Sequence, residues 1–153
     1  MINKTEIEEV QNSWGKGIIT IGKLKDSPKE CRIFTVNFIN KHYDFNFGDV
    51  QFKPTKASEK QFRNNNKSAL SYFIGSDKDY AEDKGFALNP WVMVDFKNES
   101  INIYENIATA MGNYFFTTPE GDEVKVEYSF GYILDEDGKV RINLHHSSMP
   151  FSA

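Results

Sequence analysis

The hydrophobic residues of the N-terminal part recur at steps of three and four positions, a spacing that predicts two helices. The first helix begins behind a capping box formed by Thr5 and Glu8. Its apolar face consists of residues at helical spacing: Ile7, Val10, Trp14, Ile18 and Ile21. The second helix begins with Ser27 as N-cap and Pro28 at the first helical position, and its apolar face continues to about Tyr43.

A less regular segment follows these helices. Residues 44–56 predict a loop with a short strand around Val50–Lys53 and a break at Pro54. A short helix or turn is predicted around Ser68–Ile74, followed by a loop at Gly75–Gly85. Basic side chains recur across the segment: Lys53, Lys56, Lys60, Arg63 and Lys67. Bases interleaved with aromatics occur in nucleic-acid binding proteins, but a net charge of −4 favours a solvated helix face.

From Phe86 onward the pattern changes to the alternation and aromatic content of β-strands. The predicted strands are Phe86–Phe96, Ile101–Tyr104, Ile107–Thr117, Val124–Leu134 and Val140–Ser148. Helices first and antiparallel strands afterwards predict an α+β fold, in which the helices cover one face of a curved sheet. We expect one domain over residues 1–153, with a cone-shaped cavity between helices and sheet as the default binding site.

The last predicted strand carries the polar residues of greatest chemical interest. Strict alternation places one set of residues on a mostly apolar face: Val140, Ile142, Leu144, His146 and Ser148. It places a polar ladder on the other face: Arg141, Asn143, His145 and Ser147. Such a ladder is either a solvated face or the polar wall of a cavity, and the period alone favours the solvated face.

Composition restricts the chemistry further. The chain has 153 residues, a net charge of −4, one cysteine and three histidines, so a disulfide framework and a cysteine-based zinc cluster are excluded. The mild acidity argues against nucleic acid or an anionic membrane as the main partner. Cys31 is interpreted as a core residue. Because adjacent residues on a strand point to opposite faces, His145 and His146 do not easily chelate one ion, and a conventional zinc site is not expected.

Membrane and cofactor signals are missing from the sequence. No segment reaches the length of about 18 apolar residues that crosses a bilayer. The N-terminus has no signal-peptide pattern and leads into the first polar helix. Glycine-rich phosphate loops, nucleophile elbows and dinucleotide fingerprints do not occur. We therefore expect a soluble cytoplasmic protein, unless a targeting segment has been removed.

The segment Leu144–Pro150, with the order Leu-His-His-Ser-Ser-Met-Pro, closely resembles the terminal signature of the iota-class carbonic anhydrases. This family belongs to the nuclear-transport-factor-2-like superfamily, near the association domain of calcium/calmodulin-dependent kinase II. Further segments resemble the family in the same order: Phe52–Thr55, Ser68–Phe73, Asp83–Phe86, Pro90–Trp91, Ala110–Tyr114 and Val126–Tyr132. Many members have three consecutive histidines before the serine pair, whereas Leu144 occupies the first of these places here.

The resemblance implies reversible hydration of CO2 to bicarbonate in a pocket between helices and sheet. It implies an enzyme without a cofactor, with a divalent metal such as zinc or manganese as the alternative. The catalytic residues that it implies are Thr55, Tyr72, His145 and Ser147, and all of these except the histidine would also bind substrate. His145, with an ordinary pKa of about 6.5, would accept or shuttle the proton near neutral pH. The choice of Ser147 over Ser148 rests on the polar ladder, and a β-bulge would reverse it.

Other interpretations of the same residues stay open. Tyr72 also fits a core aromatic with a satisfied hydroxyl, and Thr55 also fits a helix N-cap. A non-catalytic association module of the same fold would form a large ring, whereas an isomerase or hydrolase would use a carboxylate base such as Asp95 or Glu127. For the carbonic anhydrase we expect CO2 and bicarbonate as partners, neither nucleic acid nor a membrane, and a homodimer formed through the outer face of the sheet.

Overall fold

Three α-helices form the helical layer of the fold. In the computed structural model, which describes residues 1–153, they span Lys4–Lys23 (α1), Pro28–His42 (α2) and Asn66–Ile74 (α3). Two short 3₁₀ helices follow α3, at Lys78–Tyr80 and Phe86–Leu88. The two long N-terminal helices therefore lie where the spacing of the apolar residues predicts them.

The start of α1 differs from the prediction. Its capping box consists of Asn3 and Glu6, and not of Thr5 and Glu8. The side-chain oxygen of Asn3 accepts from the backbone N–H of Glu6 at 2.8 Å, while the Glu6 carboxylate accepts from the Asn3 backbone N–H at 3.1 Å. The helix begins earlier because asparagine offers this acceptor two residues before Thr5. The N-cap of α2 is Ser27, as predicted.

One five-stranded sheet packs against the helices. Its strands are Gln51–Lys53 (β1), Met93–Tyr104 (β2), Ile107–Thr117 (β3), Glu123–Leu134 (β4) and Val140–Ser148 (β5). The spatial order is β1-β5-β4-β3-β2, with β1 parallel to β5 and all other neighbours antiparallel. The predicted α+β architecture, with helices on one face of a mainly antiparallel sheet, is confirmed.

Two predicted β-segments differ from the structure. The predicted strand Phe86–Phe96 begins as the 3₁₀ helix Phe86–Leu88 and joins the sheet only at Met93. The turn expected at Lys97–Ser100 is a β-bulge within the continuous strand β2. Because β2 is an edge strand, the extra residue, Glu99, stays exposed and disturbs the pairing with only one neighbouring strand.

The basic segment after β1 is not a helix. Residues 54–64 form turns that lead into α3. Lys56 and Lys60 are exposed there, whereas Arg63 is fully buried and forms an ion pair with Asp83. The predicted solvated face is therefore confirmed for Lys56, Lys60 and Lys67, of which only Lys67 lies on a helix, and it is wrong for Arg63. A buried carboxylate supplies the partner that allows this basic side chain into the core.

The hydrophobic core lies between the helices and the inner face of the sheet. It contains 26 buried residues and includes Trp14 of α1, whose ring centroid lies 5.7 Å from Tyr114 and 6.2 Å from Phe38. The outer face of the sheet carries no helix, and Ile107 and Met111 are 52% and 57% exposed there. A membrane-crossing helix, long and apolar enough for a bilayer, does not occur in this fold.

Candidate active site

A small cavity lies where the helices meet the inner face of the sheet. Its volume is about 10 Å³, which corresponds to about one water molecule. Aromatic side chains form most of its wall. Its polar groups come from the turn after β1, from α3, from β3 and from β5: Thr55, Tyr72, Tyr114, His145 and Ser147. The four residues that the family resemblance implies thus line one cavity.

A β-bulge in β5 decides which side chains of the last strand enter this cavity. Leu144 pairs with Gly131 and Ile142 pairs with Tyr132, so Asn143 is the extra residue in the ladder. A Cβ atom on Gly131 would lie 2.7 Å from Oδ1 of Asn143 and 2.8 Å from Cβ of Leu144. The bulge therefore depends on a glycine in the neighbouring strand.

Because of the extra residue, the side chains of β5 that point inward have even numbers before Asn143 and odd numbers after it. Ile142 and His145 are both buried, whereas His146 is exposed. Ser147 lines the cavity, and Ser148 instead donates from its hydroxyl to a carboxylate of β4. The predicted separation into one apolar and one polar face is wrong, since the inner face carries both kinds of residue in succession. A bulge was expected to turn Ser148 inward in place of Ser147, and this is also wrong. Without the bulge, strict alternation from Ile142 would turn Ser148 inward, and the bulge turns Ser147 inward instead.

Ser147 is the centre of a cluster of hydroxyl groups. Its Oγ lies 2.5 Å from Oγ1 of Thr55 and 2.6 Å from Oη of Tyr114. Thr55 reaches this point because β1 runs parallel to β5, so that the chain beyond β1 continues alongside Ser147. The Oη of Tyr114 also lies 3.0 Å from Nε2 of His145, which joins the imidazole to the cluster.

Tyr72 brings a second phenol to the cluster from α3. Its ring centroid lies 6.1 Å from Phe52 and 5.6 Å from Phe86, and its Oη accepts from the backbone N–H of Lys56 at 3.2 Å. Burial raises the pKa of the Tyr72 phenol above its ordinary value, and burial raises the pKa of Tyr114 in the same way. Both phenols therefore keep their protons at neutral pH and remain available as hydrogen-bond donors.

Two acidic residues hold the loop that carries Thr55. The carboxylate of Glu82 accepts from the backbone N–H groups of Lys60 and the two residues before it, and these bonds lower the pKa of Glu82 to about 2. Asp83 accepts two hydrogen bonds of 2.7 Å from the guanidinium of Arg63. Thr55 lies in a turn of this loop and caps no helix, so its alternative role as an N-cap is excluded.

His145 is buried among aromatic rings. Its ring stacks on Phe130 and Phe52 at centroid distances of 4.1 and 4.8 Å, and its Nδ1 lies 2.9 Å from Oη of Tyr43. Burial, with a smaller contribution from His146, lowers the pKa of His145 to about 3. The imidazole is therefore neutral at neutral pH. Burial therefore disfavours the role of proton acceptor that an exposed histidine would have near neutral pH.

Tyr114 belongs to the cluster, although sequence reasoning missed its role. It lies on the inward face of β3, which consists of Ala108, Ala110, Gly112, Tyr114 and Phe116. No other residue of that face carries a hydroxyl group. A search for hydroxyl groups on the inward face of each predicted strand would therefore have found it.

The carboxylates considered as alternative bases lie away from the cavity. Asp95 is half exposed and forms a surface ion pair with a lysine, and Glu127 accepts from Ser148 on the outer face of the sheet. No group of three histidine, cysteine or acidic side chains is placed to hold a metal ion. His42, the remaining histidine, donates from Nδ1 to a backbone carbonyl of α2.

Comparison with known proteins decides the family. The sequence profile of the family described as metal-independent carbonic anhydrase matches residues 5–149. The chain belongs to this family. A metal-independent carbonic anhydrase of Nostoc sp. (strain PCC 7120) is 39% identical over 153 residues, which cover 98% of this chain and 75% of the relative.

Solved structures agree with membership of the metal-independent carbonic anhydrases. An iota-carbonic anhydrase from a cyanobacterium, complexed with bicarbonate, has a TM-score of 0.95 and 37% identity, covering 99% of this chain and 94% of that one. An association domain of the calcium/calmodulin-dependent protein kinase II type from Xanthomonas campestris has a TM-score of 0.70 at 17% identity, covering 100% and 91%. This second likeness concerns the fold alone. The expected family, the nuclear-transport-factor-2-like fold and the metal-independent carbonic anhydrase activity are confirmed.

Acid is expected to weaken the fold, because two histidines are buried in neutral form. Burial lowers the pKa of His42 to about 4, as it lowers that of His145 to about 3. An unfolded histidine takes up its proton near pH 6.5, roughly, so below that pH the unfolded chain binds more protons than the folded chain. Stability therefore falls as the pH falls. The midpoint of thermal unfolding should hold steady above about pH 7 and fall progressively from about pH 6.5 to about pH 3, where the folded chain also takes up these protons.

The variant His42→Asn tests the cause of this acid sensitivity. An asparagine amide can still donate to the backbone carbonyl that accepts from His42, but it does not titrate. We expect a shallower loss of stability with acid in this variant, and an unchanged loss in His146→Asn, whose histidine is exposed. An unchanged slope in His42→Asn would contradict the explanation.

Proposed function

We propose that the reaction of this family, the reversible hydration of CO2 to bicarbonate, takes place in the cavity between α3 and the inner face of the sheet. One observation supports this location above all: hydroxyl groups from four separate segments converge there, while most of the remaining wall is aromatic. Membership of the family supports the reaction, and the relative of known structure is a complex with bicarbonate. The substrate pair is therefore CO2 and bicarbonate.

The chemistry of the cavity suits both sides of the reaction. CO2 is apolar and favours aromatic walls over bulk water. In the hydration step, the oxygen of a water molecule bonds to the carbon, a C=O electron pair moves onto oxygen, and the water releases one proton. Hydroxyl groups that are already fixed stabilise the growing negative charge better than mobile water does.

The proposed roles follow from the position of each hydroxyl group. Thr55 and Ser147 orient the attacking water, and Tyr72 donates to an oxygen of CO2 or bicarbonate. Tyr114 holds both Ser147 and His145 by hydrogen bonds. The released proton leaves to solvent beside Thr55, the partly exposed member of the cluster, because the low pKa of His145 keeps this imidazole from taking it.

Substrate enters, in this proposal, past Tyr72 and Phe86. Both residues line the small cavity and also a surface groove of about 550 Å³. Their rings stack at a centroid distance of 5.6 Å between the two spaces. Because the inner cavity has room for about one water molecule, a displacement of these two rings is what admits CO2.

A CO2-hydration assay on the purified chain tests the function. Stopped-flow measurements with a pH indicator should show catalysis above the spontaneous rate, and treatment with a chelator should leave the rate unchanged. Elemental analysis should find far less metal than protein. Absence of catalysis with and without chelator would refute the enzyme. Loss of activity on chelation, restored by zinc or manganese, would refute the metal-free reaction.

We further propose that the chain forms a homodimer through the outer face of its sheet. Ile107 and Met111 are exposed on that face, and Leu144 is half exposed on the same face. Exposed apolar side chains of this kind mark contact surfaces. A molar mass of two chains in solution supports the dimer, whereas one chain, or the large ring of a non-catalytic association module, contradicts it. One domain over residues 1–153 and a cytoplasmic location stay predictions.

A further inference from the structure

The direction of one buried hydrogen bond is fixed by its chemistry. Nε1 of Trp14 lies 3.0 Å from Oη of Tyr43, and both residues are buried. An indole N–H only donates, so the phenol oxygen of Tyr43 is the acceptor. The hydroxyl hydrogen of Tyr43 must therefore find its own acceptor elsewhere.

Only one other polar atom lies within hydrogen-bond distance of the Tyr43 hydroxyl. This atom is Nδ1 of His145, at 2.9 Å. Leaving a buried O–H without an acceptor is costly, so Tyr43 donates to Nδ1. Nδ1 then carries no proton, and the neutral imidazole carries its proton on Nε2. From Nε2 it donates to Oη of Tyr114 at 3.0 Å.

The same reasoning continues through the hydroxyl cluster. Tyr114 accepts from His145, so its own hydrogen goes to Oγ of Ser147 at 2.6 Å. Ser147 in turn donates to Oγ1 of Thr55 at 2.5 Å. At the far side of the cavity, the Tyr72 oxygen accepts from a backbone N–H. The chain of donors that begins at Tyr43 therefore ends in the hydroxyl hydrogen of Thr55, while Tyr72, outside this chain, also keeps a hydroxyl hydrogen to donate.

We propose that Tyr43 is a positioning residue: it fixes His145 as the Nε2–H tautomer and thereby sets the direction of the hydrogen bonds through Tyr114 and Ser147, so that the Thr55 hydroxyl is left as a donor to the cavity. A cavity of this polarity selects an acceptor of hydrogen bonds, namely the carboxylate-type oxygens of bicarbonate or of the hydration transition state. The opposite tautomer would make Tyr114 donate back to His145 and draw the hydrogens of the cluster away from the cavity. The inference rests on the proposed function and names the groups that prepare the site for it.

Nitrogen-15 NMR of the histidine side chains at pH 7 tests the tautomer directly. In the unaltered chain, His145 should show a protonated Nε2 and an unprotonated Nδ1. Tyr43→Phe keeps the ring but removes the donor to Nδ1, so both tautomers should appear. We expect kcat for CO2 hydration to fall by about tenfold to a hundredfold, with little change in KM, because the aromatic wall of the cavity remains.

Tyr132→Phe is the matched control. Its phenol is as deeply buried as that of Tyr43, and its Oη accepts from Gln11 at 3.2 Å, away from the cavity. This variant should lose comparable stability while the His145 spectrum and kcat stay unchanged. A protonated Nδ1 in the unaltered chain, or equal effects of both variants on the spectrum, would overturn the inference. A chain with the expected tautomer but no hydration activity would instead refute the proposed function alone.

Discussion

Replacing Ser147 with alanine is expected to lower kcat/KM for CO2 hydration by about a hundredfold to a thousandfold, the size of loss seen when one preorganised hydrogen-bonding group of an active site is removed. Ser147 is 1% exposed and connects Thr55 to Tyr114 by bonds of 2.5 and 2.6 Å. Without its Oγ, the Tyr114 hydroxyl loses its acceptor and Thr55 loses its donor. The remaining hydroxyl groups would then no longer be held in place, and the donor-to-acceptor order of their hydrogen bonds would be lost. Stopped-flow hydration rates measure the effect.

The neighbouring serine provides a matched control for this variant. Ser148 carries the same hydroxyl on the adjacent residue, but it faces outward and donates to Glu127 at 3.1 Å. Ser148→Ala should therefore keep kcat/KM within about twofold, since a surface hydrogen bond contributes little. Both variants should stay folded, as judged by thermal unfolding. A larger loss in Ser148→Ala than in Ser147→Ala would contradict the assignment of the cavity.

Replacing Arg63 with methionine is expected to destabilise the fold by about 3–5 kcal/mol, the usual consequence of removing one partner from a buried ion pair. The guanidinium forms two bonds of 2.7 Å to Asp83, and both side chains are almost completely buried. Methionine fills much of the space but leaves the Asp83 carboxylate without its positive partner. Unfolding in urea, monitored by tryptophan fluorescence, gives the change in the free energy of unfolding.

An exposed ion pair serves as the comparison for Arg63. Lys97 lies 3.6 Å from Asp95, and both side chains are more than half exposed. Lys97→Met should change the free energy of unfolding by less than about 1 kcal/mol, because water screens such pairs. The double variant Arg63→Met with Asp83→Leu should recover stability relative to Arg63→Met, since it removes the unpaired charge. Equal effects of Arg63→Met and Lys97→Met would contradict the structural importance of the buried pair.

Local patterns predicted the elements of this fold where a single segment decides the outcome. The bounds of β5, Val140–Ser148, are those that alternation and the flanking turns predict. The start of α2 at Pro28 likewise follows from its own cap and apolar spacing. Local patterns gave a wrong prediction at the edge of the sheet. The polar residues Lys97–Ser100 predict a break, but they form a bulge in a continuous strand.

Which side chains of β5 point inward is determined by the neighbouring strand β4, and not by the sequence of β5 alone. The bulge at Asn143 needs the open space of Gly131 in β4, and alternation within β5 contains no sign of it. Ser147 was chosen for its place on a polar face, yet it enters the cavity on the same side as Ile142. Ser147 therefore does line the cavity, but because of the bulge and not because of the polar face from which it was predicted.

The sequence by itself determined the order of helices and strands, the shortage of metal ligands and the segments that resemble the family. Only the tertiary structure brought Thr55 within 2.5 Å of Ser147, although they are 92 residues apart, and added Tyr114 between Ser147 and His145. It also buried His145 and lowered its pKa to about 3. The physical reason is common to all three: cross-strand register and burial depend on distant segments, whereas helix caps and periodicity depend on near neighbours.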